Sequence, residues 1–187
     1  LILGGLGPNG PQSGFWAYTP GANASWSEIT ATIPPGALAY PAMSWDNKDK
    51  QLYIFGGLKA NGQQLNDFYV YQSGNGWNAI TPNAGPAPAA REQALSTWDS
   101  RDNVFLLMGG WQSNNSTTFS ALWAYSPQQN AWWQITSLQS SSATSVIPSR
   151  LASAMVWDST DNRAYVYAGA GGPDKTAFND LWMISPG

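Results

Sequence analysis

Apolar residues in this chain come in short runs bounded by Gly, Pro, Asn, Asp or Ser, as in Leu52-Tyr53-Ile54-Phe55 and Val104-Phe105-Leu106-Leu107-Met108. Short runs of this kind, heavy in aromatic and branched side chains, read as β-strands. No window spaces its apolar residues at the 3.6-residue period of an amphipathic helix, so the pattern predicts essentially no helix.

The runs recur in a fixed order. Trp26-Ser27-Glu28-Ile29-Thr30, Trp77-Asn78-Ala79-Ile80-Thr81 and Trp132-Trp133-Gln134-Ile135-Thr136 spell one phrase, W-x-x-I-T. Its period is roughly 50 residues, the mark of a repeat architecture. A glycine pair closes a second series: Leu1-Ile2-Leu3-Gly4-Gly5, Tyr53-Ile54-Phe55-Gly56-Gly57 and Leu106-Leu107-Met108-Gly109-Gly110. Tyr165-Val166-Tyr167-Ala168-Gly169 continues it, with Ala168 in the first glycine's place. Trp45-Asp46, Trp98-Asp99 and Trp157-Asp158 form a third series. Phe15-Trp16-Ala17-Tyr18, Phe68-Tyr69-Val70-Tyr71, Leu122-Trp123-Ala124-Tyr125 and Leu181-Trp182-Met183-Ile184 form a fourth. Each unit therefore predicts four strands. The first ends in Trp-Asp, the second in the glycine pair, the third is the aromatic run and the fourth is W-x-x-I-T.

The connections suit tight reversals. Asp46-Asn47-Lys48-Asp49, Asp99-Ser100-Arg101-Asp102 and Asp158-Ser159-Thr160-Asp161 join first strands to second ones. Asp and Asn favour such turns because their side chains bond backbone two residues on. Asn9-Gly10 and Asn61-Gly62 fall between second and third strands, where Asn-Gly adopts positive φ cheaply. The glycine pairs predict a close approach of two backbones that a Cβ would block. One four-stranded sheet cannot bury both its faces, whereas stacked sheets bury them against each other. A Trp between two sheets removes roughly 150–250 Å² from water, about 4–6 kcal/mol before entropy. One such Trp per unit, wedged against the neighbouring sheet, is the expected packing rule.

These landmarks resemble the kelch repeat, the blade of kelch-type β-propellers and of the galactose-oxidase-like central domain. The resemblance rests on the double glycines, on Asn66-Asp67-Phe68-Tyr69 and Asn179-Asp180-Leu181-Trp182, on Trp77, and on Arg91 and Arg150. It implies an all-β propeller of four-stranded antiparallel blades: a partial blade over 1–30, blades over 38–81 and 91–136, and a partial blade over 150–187. Three positions depart from the pattern: Leu38 in the arginine slot, Ser120-Ala121 in the Asn-Asp slot, and Ala168. Rings of this kind hold six or seven blades, as the resemblance implies, so this incomplete propeller is expected to be part of something longer. Its missing blades would come from the rest of that chain or from further copies.

Composition narrows the chemistry. Of 187 residues, 43% are hydrophobic and 11 are Trp, enough for a substantial core. Only 10% are charged, against roughly 25% in an average soluble domain, so Ser, Thr, Asn, Gln and Gly make up the surface. The net charge is −3, with no Lys/Arg run to suggest nucleic acid. No apolar run approaches the roughly 18 residues of a membrane span. Cys and His are both absent. That removes thiol nucleophiles, disulfides, the usual general base and the commonest transition-metal ligand. No metal site, cofactor or catalytic residue is expected.

Four side chains are candidates for ligand binding: Arg91, Glu92, Arg150 and Trp111. The arginines either face a central channel and bind an anion, or tie blade to blade through backbone carbonyls with the guanidinium fork. Trp111, just past a glycine pair, and one member of Trp132-Trp133 are candidate exposed rings, because neighbours on a strand face opposite ways. The aspartates of the Trp-Asp pairs recur with the period, which favours a role in turns over a carboxylate-lined metal site. Asn23 and Asn115 open N-x-[ST] sequons in predicted loops, where a glycan could be carried. The glycine-rich stretch 168–172 opens no helix and so lacks a phosphate-binding context.

Three functions fit. The favoured one is a non-catalytic interaction module, extracellular or on the cell surface, that binds a protein or glycan through its loops; a cytoplasmic setting is the alternative. The second is a fragment of a propeller enzyme: the resemblance admits copper-radical oxidases that need Tyr, His and a Cys cross-linked to Tyr, and sugar isomerisation on a related propeller with Arg and Glu. Of the oxidase set this sequence supplies Tyr alone. The third is a structural extracellular glycoprotein, suggested by the low charge and high Ser, Thr, Asn and Gln content.

Overall fold

A computed structural model of the chain describes residues 1–31, 34, 36–136, 146–171 and 176–186. Residues 172–175 and 187 of the expected last blade, including the end of the 168–172 glycine-rich stretch, lie outside that set. Every element among the described residues is a strand. The strands build four antiparallel sheets in chain order. The first holds Ile2–Leu3, Phe15–Thr19 and Ser25–Glu28. The second holds Ala42–Asp46, Gln51–Phe55, Phe68–Gln72 and Gly76–Ala79. The third holds Leu95–Asp99, Val104–Met108, Leu122–Ser126 and Ala131–Ile135. The fourth holds Ala154–Asp158, Arg163–Tyr167 and Leu181–Ile184. The two inner sheets thus have the four strands read from the sequence, in the order expected.

The sheets stack through three apolar clusters. In the second sheet Leu52 and Ile54 turn toward the first sheet, and Tyr53 and Phe55 toward the third. In the third sheet Phe105 and Leu107 turn back to the second, while Val104, Leu106 and Met108 turn forward to the fourth. Burial on both faces explains why these strands read as continuous apolar runs and not as an apolar–polar alternation. First strands of successive sheets lie side by side: 42–46 next to 95–99, and 95–99 next to 154–158.

The fourth-strand tryptophans follow the expected rule where a preceding sheet exists to receive them. Trp132 is 5% exposed and meets Phe55 and Phe68 of the second sheet at ring-centroid distances of 5.5 and 5.0 Å. Trp77 lies 5.4 Å from Phe15 of the first sheet. Trp26 departs from the rule. It is 52% exposed, and its aromatic contact among the described residues is Tyr18 of its own sheet, because no described sheet precedes it. Trp133 points away from buried Trp132 and is exposed, as neighbours on one strand must. Each end of the stack shows an apolar face to solvent: Ile2, Trp16, Tyr18 and Trp26 on the first sheet, and Val156, Tyr167, Leu181 and Met183 on the fourth.

The Trp-Asp aspartates build turns. Asp46 Oδ1 accepts from the amides of Lys48 and Asp49 at 2.8 and 3.3 Å. Asp99 Oδ1 does the same for Arg101 and Asp102 at 2.9 and 3.1 Å, and Asp158 for Thr160 and Asp161. Each turn closes on a left-handed residue, Lys50, Asn103 or Asn162. In the Asn-Gly pairs only the glycine takes positive φ, at Gly10 and Gly62. Asn61 instead accepts from the Gln63 amide through Oδ1. The sequence also gave no sign of four two-residue ribbons next to the second strands. They are Leu6–Gly7 with Gly10–Pro11, Leu38–Ala39 with Leu58–Lys59, Trp111–Gln112 with Thr117–Thr118, and Ala170–Gly171 with Thr176–Ala177.

The glycine pairs make the joints between sheets. Gly5, Gly57 and Gly110 donate their amides to the carbonyls of Leu38, Arg91 and Arg150 at 2.9, 2.9 and 2.8 Å. The preceding glycines have positive φ, and a Cβ there would drive into the same carbonyls, at 2.5 Å from that of Arg91 for Gly56. Only glycine can supply that combination of φ and clearance.

Candidate functional site

The four ligand-binding candidates, Arg91, Glu92, Trp111 and Arg150, lie on the end of the stack that carries the ribbons. The fold delivers Arg91 and Arg150 there through the joints just described. Arg91 donates its amide to Leu65 O and accepts from Gly57, so its backbone is stitched into the second sheet. Its side chain turns into its own unit, where Nε donates to Ala89 O and Nη1 to Gly109 O, both at 2.9 Å. The guanidinium lies 3.8 Å over the Phe119 ring. Arg150 repeats the plan one unit later. Nε donates to Pro148 O and Nη1 to Ala168 O, with Phe178 beneath. Arg91 is 2% exposed and Arg150 fully buried. The fork thus binds backbone carbonyls within its own unit, and the main chain of the same residue, not the guanidinium, makes the bonds to the neighbouring sheet.

The two arginines differ in their counter-charge. Arg150 holds Asp180 in a bidentate pair, Nη1 to Oδ1 and Nη2 to Oδ2, each at 2.9 Å. These bonds, helped by Trp182 Nε1 donating to Oδ2, hold the Asp180 carboxyl down at about 2. Among the described residues no carboxylate pairs with Arg91, and Ala121 stands where Asp180 stands. Burial alone acts on it and lowers its pKa to about 10. The second unit shows the converse. Asp67 keeps the acid, while Leu38 replaces the arginine and Leu65 the phenylalanine beneath it. Arginine over phenylalanine, or leucine over leucine, is a pairing the repeats carry within one chain.

A depressed carboxyl has a definite pH signature. Asp180 contributes stability above the unfolded-chain value, about 3.9. That contribution is lost as pH falls toward about 2. Asp180→Asn should therefore be less stable than the parent at pH 7 by about 1–3 kcal/mol, the cost of a weakened bond to a buried charge. The two urea midpoints should converge by pH 2. Curves that stay parallel across this range would refute the pairing. Asp99 works in the opposite sense, since burial raises its carboxyl, so the difference between variant and parent is the quantity to read.

Glu92 and Trp111 come together beside Arg91. They exchange both backbone hydrogen bonds, Glu92 N to Trp111 O at 3.0 Å and Trp111 N to Glu92 O at 2.8 Å. Gln64, from the previous unit, braces the pair. Its Nε2 donates to Glu92 Oε1 at 2.8 Å and to Trp111 O at 3.1 Å. Its Oε1 accepts from both the amide and the hydroxyl of Ser113. Gln64 carried no signal in the sequence, because Pro11, Thr118 and Ala177 hold the matching ribbon positions of the other units. Trp111 is half-buried. Asn115 sits on the exposed tip of the same ribbon, and Asn23 on an exposed turn at the far edge of the first sheet. An open cavity of about 360 Å³ lies between the second and third sheets, lined by Phe55, Phe68, Tyr69, Ile80, Pro88 and Trp132 among others. No cluster of three potential metal ligands occurs among the described residues.

A family model for the KLHDC2/KLHL20/DRC7 Kelch-repeats domain matches residues 1–187. The chain belongs to that kelch family. No curated protein matches it. The kelch assignment accounts for the glycine pairs, the joint arginines and the wedged tryptophans as parts of one blade plan. Kelch domains mediate protein binding. In this kelch domain the ribbon rim is where successive units stop repeating, and loops that differ on a common scaffold are where binding specificity resides.

Proposed function

We propose that this kelch domain is a protein-interaction module whose partner seats on the ribbon rim around Gln64, Glu92, Trp111 and Ser113. The observation that carries the reading is the Gln64 brace. One side chain makes four hydrogen bonds across a blade boundary, to Glu92, to Trp111 O and twice to Ser113. Loops of two units are thereby fixed as one surface before any partner arrives, which lowers the ordering cost of binding. Trp111 supplies a half-buried aromatic anchor of the kind that dominates interface energies. The reading is non-catalytic, in keeping with a sequence that contains neither His nor Cys.

The test is a peptide-display selection on the intact chain, followed by affinity measurement on single variants. Binders should lose about tenfold or more with Trp111→Ala, and a smaller factor with Gln64→Ala. They should tolerate Tyr18→Ala, which lies on the outward face of the first sheet. Binders indifferent to Trp111 and Gln64 but lost with Tyr18→Ala would overturn the assignment of the rim.

A further inference from the structure

The cavity between the second and third sheets combines aromatic walls with an unanswered charge. Strand pairing sets Phe68 opposite Phe55 and Tyr69 opposite Ala79, so the cavity opens at the end of the stack that carries the glycine pairs. Phe55, Phe68 and Trp132 line it and are nearly buried, while Ile80 and Pro88 add aliphatic surface. Asp67 also lines it and is exposed. Its Oδ2 accepts from the Tyr69 hydroxyl at 3.5 Å, and no Lys or Arg among the described residues pairs with it. Burial and the Asp67 charge both raise the Tyr69 pKa, so the hydroxyl stays a neutral donor. The fourth unit shows how such an acid is completed. Asp180 accepts from Trp182 Nε1, the counterpart of Tyr69, and is closed by the guanidinium of Arg150. In the second unit Leu38 leaves the acid without that cation.

We propose that this cavity is a receptor for an arginine side chain of a protein partner, with the stem on Phe68, Ile80 and Trp132 and the guanidinium on Asp67. The volume, about 360 Å³, is near the lower bound of ligand sites and suits one long side chain. Such a side chain is apolar along its stem and charged at its tip, which matches the two halves of the cavity. A guanidinium fits better than an ammonium, because it is more weakly hydrated and stacks on aromatic rings. The biological occupant rests on the protein-binding reading, but the receptor itself is measurable without a partner and does not involve Gln64 or Trp111.

The experiment is a titration of the intact chain with N-acetyl-arginine methylamide, followed on the Trp132 Nε1–Hε1 resonance. The resonance should move and saturate. N-acetyl-citrulline methylamide, which keeps the shape and lacks the charge, should bind about fivefold more weakly. Asp67→Asn should lose about the same factor for the arginine amide. Ala87→Leu narrows the cavity without touching the acid and should weaken both ligands. Equal affinity for the two amides, or an Asp67→Asn variant that binds the arginine amide as the parent does, overturns the receptor. N-acetyl-lysine methylamide binding as tightly as the arginine amide overturns arginine as the occupant. Free arginine binding more tightly than the blocked amide overturns a side chain carried on a protein. Trp111→Ala and Gln64→Ala should bind the arginine amide as the parent does, so this receptor and the rim fail separately.

Discussion

Trp132→Ala should lower the stability of the chain by about 3–5 kcal/mol, whereas Trp26→Ala should change it by less than about 1 kcal/mol. The two residues begin the same W-x-x-I-T phrase, so sequence alone assigns them one role. Their surroundings differ. The Trp132 indole is ringed by Phe55, Phe68, Phe105 and Tyr125 at 5.0 to 6.0 Å, and those partners come from two sheets. Deleting it removes a large apolar surface and leaves a hole that rigid neighbours on both sides cannot close. Trp26 has one aromatic neighbour among the described residues, Tyr18 at 5.0 Å, and shows half its surface to water. Urea unfolding of both variants, with the parent m-value as a check, gives the comparison directly. Equal losses would mean that the indole acts within its own sheet and not between sheets.

Gly109→Ala should be comparably severe, on the order of 3 kcal/mol or more. Two costs coincide there. Gly109 has φ +66, where an added Cβ is strained by roughly 1–2 kcal/mol. That Cβ would also collide with the Arg150 carbonyl, whose hydrogen bond to Gly110 joins the third sheet to the fourth. Gly74→Ala separates the costs. Gly74 has φ +84 but open space around its Cβ position, so its loss should stay near the conformational term alone. The chain supplies its own precedent at Ala168, which occupies the first-glycine position at φ 57 with no arginine carbonyl among the described residues to meet it. If Gly109→Ala and Gly74→Ala cost the same by thermal unfolding, backbone collision is not what reserves the position for glycine.

Much of this architecture was legible because the physics that fixes it is local and repeated. Strand order within a blade, the Asp turns and the glycine joints each leave a residue type at a constant place, and several copies can be compared. The burial of a repeated residue was less legible, because it depends on which sheet lies next to it. Trp26 and Trp132 show that difference. The rim was least legible. Gln64 acts once, through a side chain that no other unit shares, and its bonds run to residues far along the chain. The counter-charge pattern was visible only as departures from the repeat, at Leu38 and Ala121. The structure was needed to show that the aspartate slot meets the arginine slot, so that one unit lacks the cation and another the anion.

The joints have a direction. Each unit offers a plug, the carbonyl at the head of its first strand, to a socket in the unit before it, and carries in its own glycine pair the socket for the unit after. Neither part is used twice, and neither depends on which particular copy it meets, since the Leu38 and Arg91 carbonyls seat equally well. A block cut from one plug to the next therefore travels with everything its two boundaries require. Whole units can be gained or lost with each remaining seam chemically intact, whereas a cut anywhere inside a unit leaves a plug or a socket empty.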